Sequence, residues 1–431
     1  MTNHRNQMRM PALLLLGWVT YSFALFNVGR FSITIMLLTS LLMCLHGLKS
    51  PRLLTFSTLS LLLSGLIAWL VSFFLYGEVE KPLTHLIQYL LVIGVFISMR
   101  TLQWEEVFPR FRKLLFWLAA LVLIYGAYQF FARSHNLPFA YLPITNLQLG
   151  ADEGFQRGIS NVALGAGIFT RVSSFFAEPS DLGRFMLWVF AVGYACERGR
   201  LRTLLVGLGI TGILVSQSMG GVVGGVFLVG VITLLKRDLR RAAMFVVVGS
   251  LALVAVAYFI PQSLETLANR AETIASGGSE RLLQRGRFAD MGDNLRLFME
   301  APLLGHGLAS VKIVAPDNVV ASAWELLLIE RGLLGTILFM APFFVIFLKL
   351  GLTHKSQGSL GKTALVLLIV EMYSFATFSS VFFPVTYLAL GLAVYAVATS
   401  PSSPTPLDEE SEALGEAKDG PVASTSEMTP T

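Results

Sequence analysis

Twelve apolar runs, set apart mostly by short charged connections, limit most severely what this chain can fold into. A helix crossing about 30 Å of hydrocarbon needs roughly 20 mostly apolar residues, and in lipid its backbone groups must pair internally. The runs are residues 10–27, 31–48, 54–76, 83–99, 114–132, 182–196, 203–219, 221–235, 242–260, 324–350, 363–381 and 385–399. Of 431 residues, 54% are hydrophobic and only 14% charged, too little polar surface to clothe several water-soluble cores. A soluble enzyme, a disordered regulator and a disulfide scaffold are therefore excluded. The two cysteines, Cys44 and Cys196, sit in apolar runs as packing residues. The expected fold is an all-α polytopic membrane protein of twelve transmembrane helices, with two long outer-face loops carrying short interfacial helices.

Charge sets the expected direction. With the N-terminus in the cytoplasm, the even-numbered connections carry the Lys and Arg residues that resist translocation: Lys49 and Arg52; Arg100, Arg110, Arg112 and Lys113; Arg198, Arg200 and Arg202; Lys236, Arg237, Arg240 and Arg241; Lys349, Lys355 and Lys362. The net charge of +5 lies in these clusters rather than along one face, which points to a bilayer and not to nucleic acid. Arg5 and Arg9 precede an apolar run as in a signal peptide. Tyr21, Phe23, Leu25 and Phe26 stand where a small-residue cleavage site belongs, so the run reads as a retained span. The chain divides into helices 1–5 (1–132), a first outer loop (133–181), helices 6–9 (182–260), a second outer loop (261–323), helices 10–12 (324–399) and a Pro-, Ser- and acid-rich tail (400–431). The tail reads as disordered, and both termini are expected in the cytoplasm of a bacterial cell bounded by this inner membrane.

Long loops in compact folds usually carry function. The first contains Arg157, Arg171, Glu178, Asp181 and Arg184, with Pro179 and Ser180 fitting a helix start and Ser180 as its cap. A helix N-terminus at the outer interface suits phosphate. The second contains Arg270, Arg281, Arg285, Arg287, Arg296 and Lys312; the planar guanidinium matches a diphosphate bidentately where lysine offers a point charge. Phe288, Met291, Leu295 and Phe298 recur at helical spacing, an apolar stripe on a helix lying on the membrane, flanked by Arg287 and Arg296. Two readings of these arginines stand at this point: they snorkel to ordinary lipid phosphates, or they hold a lipid-linked diphosphate at headgroup depth. His135 and His306 are isolated, and no His/Cys spacing fits zinc, so metal-independent chemistry is expected, with no cofactor.

Three stretches then resemble the O-antigen polymerase and O-antigen ligase superfamily of bacterial membrane glycosyltransferases. Arg171–Gly183 is similar to the family's Arg, aromatic, Glu/Asn-Pro pattern. Arg287 followed by Asn294, Phe298 and Ala301-Pro302-Leu303-Leu304-Gly305-His306-Gly307 is similar to its Arg, then Pro-Leu-Leu-Gly-x-Gly signature. Leu326–Gly335, with Glu330-Arg331-Gly332, is similar to its Glu-x-Gly-x-x-Gly helix start. The resemblance covers roughly residues 150–350. Ala321 stands where the ligases have His, and Met219 follows Ser218 where an Arg is often found, so the polymerase branch is favoured over the ligase.

The resemblance implies an enzyme that joins oligosaccharide units carried on undecaprenyl pyrophosphate at the outer face of the cytoplasmic membrane, within membrane lipid and beside a chain-length regulator and flippase of the same pathway. It implies that Arg171 and Arg287 stabilise the departing diphosphate, that Arg281, Arg285, Arg296, Arg157 and His306 bind substrate, and that Glu178 serves as base. The rival class is a flippase or secondary transporter, with Glu371 and His85 as coupling residues inside spans.

Remaining features have plainer readings. Glu371 takes a hydrogen bond from a neighbouring helix, with Tyr373, Ser374 and Thr377 close in its own span. Gly220, Gly221, Gly224 and Gly225 permit close helix packing. Trp104, Phe108 and Phe111, among Arg110, Arg112 and Lys113, form a short anchoring helix on the cytoplasmic surface.

Overall fold

A computed structural model of the protein describes residues 4–21, 24–28, 31–48, 55–77, 80–135, 137–138, 172, 174–176, 179–195, 199–216, 218–236, 290–315, 320, 322–353, 358–377 and 383–399. These are almost entirely helical. In chain order the helices are α1 (His4–Val19), α2 (Ile35–Gly47), α3 (Phe56–Tyr76), α4 (Glu80–Arg100), α5 (Trp104–Ser134), α6 (Pro179–Ala195), α7 (Arg200–Ser216), α8 (Met219–Lys236), α9 (Met291–Glu300), α10 (Val311–Val314), α11 (Ala323–Thr353), α12 (Ser359–Thr377) and α13 (Pro384–Thr399). Among the described residues five are long and apolar enough to cross a membrane: α3, α4, α5, α11 and α12. Shorter apolar helices lie in α1, α2, α8 and α13, while α6 and α7 occupy the sixth and seventh apolar runs. The ninth run, 242–260, most of both long loops and the tail from Ser400 lie outside the described residues.

The first two runs are not two plain spans. The chain leaves α1 and forms an antiparallel hairpin, β1 (Ala24–Val28) with β2 (Phe31–Thr34), before α2 begins. Val28 pairs with Phe31, so the strands are joined by Gly29-Arg30, and a two-residue connection opening with glycine is a recognised hairpin signal. Hydropathy counts apolar residues without regard to conformation, so the stretch from Ala24 to Asn27 read as the end of a span. Thr34 then caps α2, its side chain accepting from the Leu37 amide at 3.1 Å.

Trp104, Phe108 and Phe111 are also corrected. They lie on the first turns of α5, continuous with the fifth span, and all three are buried. The Trp104 indole N–H donates to the Met99 carbonyl at 2.7 Å, closing the turn between α4 and α5. The stripe therefore packs inward.

Close backbone contact organises the bundle, as expected where lipid supplies no hydrophobic drive between helices. A Cβ on Gly94 of α4 would lie 2.5 Å from Cys44 Cβ of α2, which places Cys44 as a packing residue. Helix α6 runs through the middle, buried at Ser180 and from Leu182 to Ala195, against α7, α8 and α12. Of the four glycines near the start of α8, two face neighbours tightly. A Cβ on Gly224 would lie 2.6 Å from the Tyr373 ring and one on Gly221 3.3 Å from Gly183 Cα, whereas Gly220 and Gly225 meet nothing nearer than 3.7 Å.

Candidate functional site

The second and third family-like stretches meet in space. Helix α11 is interrupted at Gly332, whose backbone (φ 59°, ψ −169°) is essentially open only to glycine. In an unbroken helix the carbonyls of Ile329 and Glu330 would accept from the amides of Leu333 and Leu334. The break frees all four groups, and the loop 302–307 takes up each of them. The His306 amide donates to Ile329 O and the Gly307 amide to Glu330 O, both at 2.8 Å; Leu333 N donates to Pro302 O at 2.8 Å and Leu334 N to Leu303 O at 3.1 Å. A buried polar group left unpaired costs about 1–3 kcal/mol, so the loop and the break stabilise one another.

The glycines of the loop follow from this contact. A Cβ on Gly305 (φ +71°) would lie 2.5 Å from Gly332 N, and one on Gly307 (φ +93°) 2.4 Å from the Ser72 amide of α3. Leu308 N donates to Ala68 O at 2.9 Å and Ser72 Oγ to Leu308 O at 3.0 Å, so the loop is also sewn to α3. Ala309 holds φ 62° and its amide hydrogen-bonds the Glu330 carboxylate.

Glu330 and Arg331 are both buried at this junction. Arg331 Nη1 donates to Ser64 Oγ at 2.8 Å, and Ser64 Oγ donates onward to Gly335 O at 2.7 Å. The guanidinium lies 4.4 Å from the Tyr89 ring centroid and 5.2 Å from that of Phe339. Aromatic faces and the carbonyl end of the half-helix before Gly332 both favour a cation here. Among the described residues Arg331 Nε and Nη2 meet no hydrogen-bond acceptor.

A second polar cluster lies on α6, which begins one residue after Glu178. Arg184 Nη2 donates to Glu371 Oε2 of α12 at 2.5 Å and to Thr386 Oγ1 of α13 at 2.9 Å. Thr386 Oγ1 donates to Glu371 Oε2 and the Trp188 indole N–H to Glu371 Oε1, both at 2.5 Å. Phe383 faces the guanidinium at 4.8 Å. One turn before Arg184, Asp181 accepts from the Tyr21 hydroxyl. Glu371 thus bonds across helices to α6 and α13; Tyr373, Ser374 and Thr377 of its own helix are not among its partners.

The expected site residues distribute unevenly. Arg157, Arg171, Glu178, Arg281, Arg285 and Arg287 lie outside the described residues. Arg296 is on α9, 74% exposed, with Nε 3.9 Å from Glu300. His306 turns its ring into the protein: Nε2 meets Leu297 O at 2.8 Å and Nδ1 meets the Tyr76 hydroxyl at 3.4 Å. Since a carbonyl only accepts, Nε2 carries the proton and Nδ1 accepts from Tyr76. The ring ties α9 to the end of α3.

Helix α9 shows three faces. Asn294 and Leu297 are buried towards α11, with Phe298 half-buried beside them; Met291, Leu295 and Met299 are exposed; Asp293, Arg296 and Glu300 form a polar side. The apolar stripe therefore runs through Met299 rather than Phe298, and Phe288 lies outside the described residues.

Arg184 was read from sequence as a charged group of the first outer loop without its partner, and Trp188, Thr386, Ser64, Tyr89 and Arg331 were not singled out as interaction partners. A detectable signal existed for the arginines alone, since Arg184 and Arg331 are cations within apolar runs. A scan against protein-family models and a search of curated proteins each return no match to this chain.

Proposed function

We propose that the protein is a membrane glycosyltransferase polymerising undecaprenyl-pyrophosphate-linked oligosaccharide units at the periplasmic face of the bacterial inner membrane, for O-antigen, capsule or exopolysaccharide. One observation carries the reading: the Pro302–Gly307 loop and the Glu330–Gly332 break, two family-like stretches separated in sequence, are hydrogen-bonded backbone partners in the fold. The clustering of Lys and Arg on alternate connections supports both termini in the cytoplasm and the arginine-bearing loops on the outer side.

In the proposed reaction a sugar hydroxyl of one unit attacks the anomeric carbon of another. The bond from that carbon to the lipid diphosphate breaks, and the electron pair leaves with the diphosphate. Arg171 and Arg287 neutralise the growing negative charge, with Arg281, Arg285, Arg296 and Arg157 holding the donor at headgroup depth. Glu178 takes the acceptor proton. His306, expected to bind substrate, holds α9 to α3 through Leu297 and Tyr76. The arginines meet the electrostatic need, so the proposal invokes no metal or cofactor. A flippase or chain-length regulator of the same pathway would supply donor units or set product length.

The transporter reading made Glu371 a coupling group; its three donors and ion pair with Arg184 supply a structural reason for its place in the membrane. Arg171→Ala and Arg287→Ala, each expressed in place of the native chain, separate the two readings. Loss of long glycans with single units still reaching the outer face is the expected result. Normal chain length in both variants defeats the site assignment, and units trapped inside the cell point to transport.

A further inference from the structure

The polar stripe of α6 is unusual in its company. Asp181, Arg184 and Trp188 follow one another at spacings of three and four, so they share one face of a helix whose other positions are mostly apolar. Together they reach three other parts of the chain: Asp181 meets Tyr21 beyond α1, Arg184 meets Glu371 of α12 and Thr386 of α13, and Trp188 meets the same Glu371. The side chains of Arg184 and Glu371 are 2% and 0% exposed, so water does not share these bonds.

The donors around Glu371 decide what can stand there. Arg184 and the Trp188 indole only donate, and because Thr386 Oγ1 accepts from Arg184 its own hydrogen turns to Glu371. The two carboxylate oxygens therefore face three donors and no acceptor. A glutamine in this place has nearly the same shape, yet its NH2 group must confront at least one donor. Simple helix packing needs no such arrangement; apolar residues of equal volume pack as well or better. What the cluster adds is register. Turning α6 by one residue, or sliding it by one turn, breaks all of these bonds together.

We infer that Arg184 and Glu371 are positioning residues that lock the rotation and depth of α6, and that the proposed activity depends on this register. The inference rests on the glycosyltransferase reading for its consequence, but not for its geometry. Helix α6 starts at Pro179, about one and a half turns before Arg184 and next in sequence to the proposed base Glu178.

The test uses the full chain in native membranes, with Cys44 and Cys196 replaced by alanine. Cysteines at 21 and 181 (Tyr21→Cys, Asp181→Cys), bridged by a short bifunctional thiol reagent, report α6 register without reference to activity. The parent carries Arg184 and Glu371, and is compared with Glu371→Gln and with the paired apolar change Arg184→Met, Glu371→Met. The Met pair leaves no buried charge, so it keeps the comparison alive if Glu371→Gln fails to accumulate.

The expected result is a severalfold fall in cross-link yield in both variants, and at least a tenfold drop in long-chain glycan when the same changes are made without the cysteines at 21 and 181. The Met pair should accumulate, and melt, as the parent does. Parental cross-linking and chain length in the Met pair would overturn the inference, since neutralising the charges would then be all the pair achieves. Unchanged behaviour of Glu371→Gln would do the same. If Arg171→Ala leaves glycans normal while cross-linking still depends on Arg184 and Glu371, the positioning device stands and the polymerase reading falls.

Discussion

Gly305 and Gly332 touch backbone to backbone: a Cβ built on Gly332 would sit 2.5 Å from Gly305 N and 2.4 Å from Leu303 O. The two residues come from different sequence stretches, and each occupies a positive φ that a side chain would strain. The break in α11 and the turn that fills it are one structural unit.

Gly332→Ala should therefore destabilise the folded protein by at least about 2 kcal/mol, from backbone strain and from contact with Leu303 O together. Gly230→Ala, in a helix where an added Cβ meets nothing within 4 Å, serves as the control and should be neutral or slightly stabilising. Thermal midpoints of the detergent-purified proteins decide it. Equal midpoints for the two variants would mean that the α11 break does not depend on glycine.

Ser64 relays between Arg331 and Gly335 O, so Ser64→Ala removes an acceptor from a buried cation and a donor from a buried carbonyl at once. A loss of about 1–3 kcal/mol is expected. In Arg331→Met the same serine change should cost less, because only the carbonyl loses its partner. A double-mutant cycle reads the coupling directly, and simple additivity would deny the relay.

On α9 the exposed stripe Met291, Leu295 and Met299 leads into exposed Leu303 and Leu304, then to Leu333, Leu334 and Ile337 on α11. This continuity with a helix long enough to span a bilayer predicts lipid contact. A bimane probe at Leu295→Cys should emit as in an apolar medium, and one at Arg296→Cys as in water. Matching spectra would remove the interfacial placement of α9.

Gly224→Leu should break the packing of α8 on α12, since an added Cβ already meets Tyr373 at 2.6 Å and Leu187 at 2.8 Å. Gly225→Leu, whose Cβ comes no closer than 3.7 Å to Ile213, should be far milder. The difference is expected at about 1–3 kcal/mol in chemical or thermal unfolding. Similar losses at both positions would show that α8 presents a different face.

His306→Phe keeps a ring of similar size but deletes both bonds that tie α9 to α3. Amide exchange across Met291–Glu300 should accelerate about tenfold, corresponding to about 1.4 kcal/mol of lost local stability. Unchanged exchange would leave the helix held by Leu297 and Asn294 alone.

How much of this was legible beforehand depends on whether the controlling physics is local. Transfer of apolar side chains to lipid acts residue by residue, so the runs that became α3, α4, α11 and α12 were marked within a few residues, whereas α5 starts at Trp104, ten residues before its run, and Ser180, expected as a cap, lies inside α6. Turn chemistry is local too, and Gly29-Arg30 carried a hairpin signal that hydropathy, blind to conformation, passed over. The glycines of α8 announced close packing but not which two would meet a neighbour, because that depends on the rotation of the helix in the bundle.

Partnership across the fold was beyond sequence reach. Glu371 and Arg184 are 187 residues apart, and an acid in one apolar run does not specify which basic residue, in which other run, will face it. Likewise the sequence supplied the glycines at 305, 307 and 332, the bare requirement for a close approach. Only the tertiary structure decided that the amides of His306 and Gly307 would replace those of Leu333 and Leu334, because a hydrogen-bond donor bears no mark of its acceptor until the chain brings the two within 3 Å.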